Sequence, residues 1–89
     1  MKSSKISVTG KVQGVYFRAS AKQKAMNLGV NGYIKNELDG TVTLVVEGDE
    51  KAVKSMTEWC KHGPGLAHVK GLLKEDCAAR NFISFEIRK

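Results

Sequence analysis

Ile6-Ser7-Val8-Thr9-Gly10-Lys11-Val12-Gln13-Gly14-Val15-Tyr16-Phe17-Arg18-Ala19-Ser20-Ala21 changes its periodicity halfway along. Ile6, Val8, Gly10 and Val12 fall on one face of an extended chain, and Ser7, Thr9 and Lys11 on the other. A period of two marks a half-buried strand. Gln13-Gly14-Val15-Tyr16 interrupts it. From about Phe17 the apolar spacing follows Phe17, Ala21, Ala25 and Leu28, which is one face of a helix. Gly29 then stands where a helix C-cap glycine is expected, because glycine accepts a positive φ without strain.

The same alternation of signals continues downstream. Val30 to Asn36 reads as a second strand, and Asp39-Gly40 is a hairpin signal. Val42, Leu44 and Val46 alternate in a third strand. Gly48-Asp49 closes it, with Asp49 suited to cap the next helix. Val53, Met56 and Cys60, with Ala52 and Trp59 beside them, form that helix's apolar face, and Gly63-Pro64-Gly65 stops it. Ala67, Val69 and Gly71 begin a fourth strand that continues to Leu73. Glu75 to Asn81 reads as a polar loop, and Ile83, Phe85 and Ile87 alternate in a last strand. The order β-α-β-β-α-β plus one extra C-terminal strand predicts an α+β, ferredoxin-like sandwich. Its antiparallel sheet carries two helices on one face. That architecture hosts many activities, so function has to be read from a site.

The composition narrows the choice. The 89 residues suit one domain over positions 1–89, with 42% hydrophobic and 27% charged residues, an ordinary globular balance. No apolar run is long enough to span a bilayer, and no apolar leader follows the N-terminal lysines. The expected location is the cytoplasm. The formal charge of +6 favours anionic ligands but does not choose among them, and the lysines are spread along the whole chain rather than gathered in a stripe. Cys60 and Cys77, with His62 and His68, match no metal-ligand spacing, so no metal is expected and the thiols are read as reduced.

The chemistry concentrates between Gly10 and Arg18. Its glycines let the backbone turn tightly and keep side chains away from a ligand. Successive N–H groups in such a turn form an anion nest, and the following helix points its positive end at the same place. Arg18 in the first helical turn can grip a phosphate with two parallel hydrogen bonds. Spacing alone leaves a second reading open, in which the glycines are turn residues and Arg18 is a solvated side chain. Asn36, at the end of the second strand, offers a donor and an acceptor that can orient a water; by itself it equally fits an Asx-turn at the hairpin entrance.

The stretch Gly10-Lys11-Val12-Gln13-Gly14-Val15-Tyr16-Phe17-Arg18 resembles the first signature of the acylphosphatase family, Gly-x-Val-Gln-Gly-Val-x-Phe-Arg. Gly32 to Gly48 resembles the second, with Asn36, Gly40, Val42 and Gly48 at its offsets. Gly63-Pro64 and the terminal Phe85-Glu86-Ile87-Arg88 are also similar, so the likeness covers nearly the whole chain. Tyr33, Ile34 and Lys35 stand where tryptophan, valine and arginine are usual. The resemblance implies hydrolysis of an acyl phosphate to a carboxylate and inorganic phosphate, by a monomer without cofactor or metal. It further implies that Arg18 binds the phosphate, that Asn36 places the nucleophilic water, and that the amides of Gln13, Gly14, Val15, Tyr16, Phe17 and Arg18 cradle the phosphoryl group.

Two rivals remain at this level. Basic ferredoxin-like sheets also bind RNA through exposed aromatics. This chain has 7% aromatic residues and lacks the Lys/Arg-Gly-Phe-Gly-Phe pattern of such modules, which argues against nucleic acid. The other is an acylphosphatase-like binding module within a larger protein.

Overall fold

Ile6 and Val8 do sit in a strand, and the strand begins well before them. The computed structural model describes residues 1–89, ordered as β1 (Lys2–Lys11), α1 (Phe17–Leu28), β2 (Asn31–Asn36), β3 (Val42–Gly48), α2 (Glu50–Cys60), β4 (His68–Asp76) and β5 (Phe85–Arg88). The five strands form one sheet in the order β4-β1-β3-β2-β5. Neighbours among the first four strands in that order are antiparallel, whereas β5 joins the β2 edge in parallel. The sheet is therefore mixed rather than wholly antiparallel. The added strand is the reason.

Register explains the core. Ile6 pairs with Leu44 and Val8 with Val42, while Ile34 pairs with Leu44 from the other side. These residues share the face on which both helices lie. Phe17, Ala21 and Ala25 of α1 and Val53, Met56 and Cys60 of α2 complete it. Two alanines on the buried stripe of α1 let that helix lie close to the strands. Phe17 meets Trp59 edge to face, with ring centroids 5.3 Å apart, tying one helix to the other. Leu44 is fully buried at the middle of this layer, so Leu44→Ala is expected to cost about 2–5 kcal/mol.

Three departures from the sequence reading have physical causes. Glu75 and Asp76 belong to β4 rather than to a loop, because their backbones pair with Lys5 and Ser4 and Lys2 Nζ meets Asp76 Oδ2 at 2.9 Å. Ile83 lies outside β5 and is 95% exposed; pairing with β2 starts only at Phe85, opposite Gly32. Finally, β3 is buried on both faces, so Thr43, Val45 and Glu47 are as hidden as the valines between them. Segment 77–84 runs along the sheet face away from the helices. The Glu47 carboxylate, only 2% exposed, holds it by accepting the N–H groups of Arg80 at 2.8 Å and Phe82 at 3.0 Å. Asn31 Nδ2 donates to the Phe82 carbonyl at 3.0 Å. The strap delivers the chain to β5, and β5 brings Ile87 to the functional end of the molecule.

Candidate phosphate site

The end of β1 is bent by a bulge: its register with β4 shifts between Thr9 and Gly10. A Cβ at Gly10 would collide with the His68 carbonyl oxygen, so only glycine lets the two backbones approach this closely. Beyond the bulge, Val12 and Val15 drop their side chains into the core and pin the loop from beneath. Between them Gly14 takes φ 72°, and a Cβ there would meet nothing, so the space above it is open. Tyr16 also lies in the left-handed region, at φ 63°.

The loop leaves its donors unused. None of the backbone N–H groups from Gln13 through Ala19 donates to a carbonyl; the first to do so is Ser20, to Tyr16 O at 3.0 Å. Tyr16 is the N-cap of α1 but supplies no side-chain cap, and the first turn carries no acidic residue. This cluster of free donors at a helix N-terminus is an electrostatically positive concavity. Arg18 is half-buried beside it and enters no ion pair with the protein.

Asn36 comes to the same place from β2. A cleft of about 410 Å³ is lined by Val12, Gly14, Tyr16, Phe17, Arg18, Ala19, Asn36 and Ile87. A slightly larger hollow of about 420 Å³ lies between α2 and β4, among lysines and glutamates, and contains none of these residues. Asn36 Oδ1 is buried and has no hydrogen-bond partner. The Asx-turn that the residue alone suggested is made instead by Asp39, whose Oδ1 accepts the Thr41 N–H at 3.0 Å and its hydroxyl at 2.7 Å. The Thr41 hydroxyl, with help from that N–H, holds the Asp39 carboxyl below the usual carboxylate range. Asn36 is thus released from shaping the hairpin. A buried, unpaired amide oxygen is rare in a folded protein, and this one leaves an acceptor open for a hydrogen bond.

Of the residues singled out from sequence, Gly14, Tyr16, Phe17, Arg18 and Asn36 line the cleft. Gln13 and Val15 do not, and the Val15 side chain lies in the core. The side chain of Gln13 has a task that the sequence reading missed. Its Nε2 donates to Glu37 O at 2.8 Å and to Thr41 O at 2.9 Å, bolting the loop to both sides of the hairpin that follows Asn36. No group of three or more His, Cys, Asp or Glu side chains gathers in the structure, and neither helix is long and apolar enough to cross a membrane.

With this geometry in place, the relatives can be compared. The acylphosphatase family matches residues 4–87. An acylphosphatase of Methylococcus capsulatus is 44% identical over 88 residues, which are 98% of this chain and 96% of that one. Among solved structures, an acylphosphatase from Bacillus subtilis superposes with a TM-score of 0.97 at 31% identity, covering 100% of both chains. One from Coxiella burnetii gives 0.94 at 36% identity, over 98% of this chain and 92% of that one.

Proposed function

The chain belongs to the acylphosphatase family, enzymes that hydrolyse acyl phosphates, and we propose how its own residues divide that work. Arg18 and the free amides of Gln13 to Arg18 hold the phosphoryl group, and Asn36 places the attacking water. The observation that carries this division is the buried, unpaired Oδ1 of Asn36, lining the same cleft as Arg18.

Phosphoryl transfer asks mainly for alignment and for stabilisation of charge on the equatorial oxygens. A fixed row of N–H dipoles and a guanidinium meet that demand without reorganising as the reaction proceeds. Water donates one hydrogen to Asn36 Oδ1, which turns its lone pair toward phosphorus. The oxygen–phosphorus bond forms as the bond from phosphorus to the carboxyl oxygen breaks, and the bonding pair leaves on the carboxylate. That leaving group is stable as an anion, so no acid has to protonate it. No His, Asp or Glu lines the cleft, and the proton of the water passes to a phosphate oxygen. The scheme uses no metal.

The test is hydrolysis of benzoyl phosphate with EDTA present, by the parent and by Asn36→Ala. The expected result is turnover by the parent and a loss of about a hundredfold or more in the variant, the scale for removing one preorganised group. A variant as active as the parent overturns the role of Asn36. Loss of the parent's activity in EDTA overturns the metal-free scheme.

A further inference from the structure

The two halves of the phosphate site come from separate parts of the fold, and the backbone does not join them. Pairing of β1 with β3 ends at Val8, opposite Val42. From Thr9 to Lys11, β1 is paired with β4 alone. Asn36 sits on the last rung between β2 and β3, also opposite Val42. Beyond these rungs the β1–α1 loop and the hairpin separate, and no backbone hydrogen bond crosses between residues 12–16 and 36–41. The side chain of Gln13 makes the crossing instead. Resting on the division of work proposed above, we infer that Gln13 is a positioning residue for hydrolysis: it holds the water-placing Asn36 at its working distance from the phosphate cradle.

The bonding of Gln13 suits that task. Its Nε2 carries two hydrogens, and its two partners, Glu37 O at 2.8 Å and Thr41 O at 2.9 Å, are both acceptors. The orientation of the side-chain amide is thereby fixed, and both of its donors are used. The same two carbonyls close the turn. Thr41 O also takes the Glu37 N–H at 2.9 Å, and Glu37 O takes the Gly40 N–H at 3.2 Å. Gln13 therefore grips the closed base of the turn rather than its tip, and one of the carbonyls it holds belongs to the residue next to Asn36.

Asn36 depends on such support. Its Oδ1 is buried and bonded to nothing in the protein, so no partner fixes its direction, and its place follows the backbone that carries it. On the other side of the gap, Val12 and Val15 tie the loop to the core, and Gln13 alone ties it by hydrogen bonds to the hairpin. The reaction is sensitive to this spacing, because a displacement of about 1 Å between reacting groups can cost about a hundredfold in rate. Phosphate holding is assigned to Arg18 and the loop amides, all on the Gln13 side of the gap, and a substitution of Gln13 leaves its own N–H in place. Loss of the brace therefore costs rate rather than phosphate affinity.

The experiment measures kcat and KM for benzoyl phosphate, and the inhibition constant of inorganic phosphate, in the parent, Gln13→Met, Asn36→Ala and the double variant. Methionine keeps the length of the side chain and removes both donors. Gln13→Met is expected to lower kcat about tenfold to a hundredfold. KM and the phosphate constant should stay within about twofold of the parent, the pattern of an interaction realised in the transition state. In the Asn36→Ala background the same substitution should lower kcat by less than about twofold, because the brace has no asparagine left to align. An unchanged kcat, an equal loss in both backgrounds, or a Gln13→Met protein that does not fold or binds phosphate much more weakly overturns the inference while leaving the phosphate site standing. An Asn36→Ala protein as active as the parent overturns both.

Discussion

The two helices begin in opposite ways. The N-terminus of α2 is closed by its own sequence: Asp49 Oδ2 accepts the Lys51 N–H at 3.1 Å, and Glu50 adds a carboxylate in the first turn. The N-terminus of α1 has neither device. Its cap is a strained tyrosine, its first turn holds no acid, and its leading N–H groups are free. Ordinary helix stability favours the arrangement in α2, where side-chain oxygen satisfies a backbone donor and negative charge meets the positive end. At α1 the same donors stay free, and in the proposed scheme an anion from outside satisfies them. What separates a helix end that holds the fold from one that holds a ligand is which oxygen satisfies it.

The sharpest way to break the contrast is to remove the charge beside the open end. Arg18→Ala is expected to lower kcat/KM for benzoyl phosphate by about a thousandfold, at the upper range for one preorganised electrostatic group, with little change in melting temperature. A parent-like rate would mean that the amides alone suffice. Giving α1 an acid of its own should act next. Tyr16→Asp adds a carboxylate beside the free donors at the helix end, where it repels a bound phosphoryl group, and KM for benzoyl phosphate should rise about tenfold or more, the rise being larger at low salt. An unchanged KM would place the phosphate elsewhere.

Opening the closed end should do the reverse. Asp49→Ala is expected to remove about 1 kcal/mol of stability, lowering the melting temperature by about 4–8 °C in a chain of this size, with hydrolysis at the permissive temperature untouched. The effect least visible near neutral pH lies at the other end of α2. Burial pushes the Cys60 thiol up to about 12 from 9.0. The folded state thus keeps its proton where the unfolded state has lost it, so this contribution to stability is intact below pH 9.0 and drains away as the pH rises toward about 12. A urea titration across that window should show a shallower alkaline decline for Cys60→Ala than for the parent, by at most about 1.4 kcal/mol per pH unit. Parallel declines would mean that the thiol is not sealed.

How far such features can be read in the sequence depends on how far along the chain their causes lie. The cradle from Gln13 to Arg18 is contiguous, so its glycines, its arginine and the change of period are visible together. The strands around Val8 and Leu44 are visible for the same reason, since alternation is local. Gln13 as a brace is invisible, because its acceptors stand 24 and 28 residues away and no rule of spacing links a glutamine to two carbonyls of a distant turn. Glu47 is harder still. It falls on the other face of an apolar alternation, as a solvated residue would, yet it is buried and accepts the N–H groups of Arg80 and Phe82, 33 and 35 residues further on. Ile83 errs the other way: its apolar side chain continues the alternation of β5, but pairing begins only opposite Gly32. Asn36 was ambiguous by itself, and it took the neighbouring Asp39 assuming the turn's hydrogen bonds to leave it free.

The pairing of β1 with both β3 and β4 has a consequence in time. Lys2 lies opposite Gly48, and Ser4 opposite Asp76, so the centre of the sheet closes only when the most distant parts of the chain have met. Chains dominated by such separations search slowly, over about milliseconds to seconds. Arg18 can enter its helix early, but Asn36 reaches it only after β3 has docked between β1 and β2. Hydrolytic activity regained on dilution from denaturant would therefore lag behind helix formation, and the lag would time the closing of the sheet.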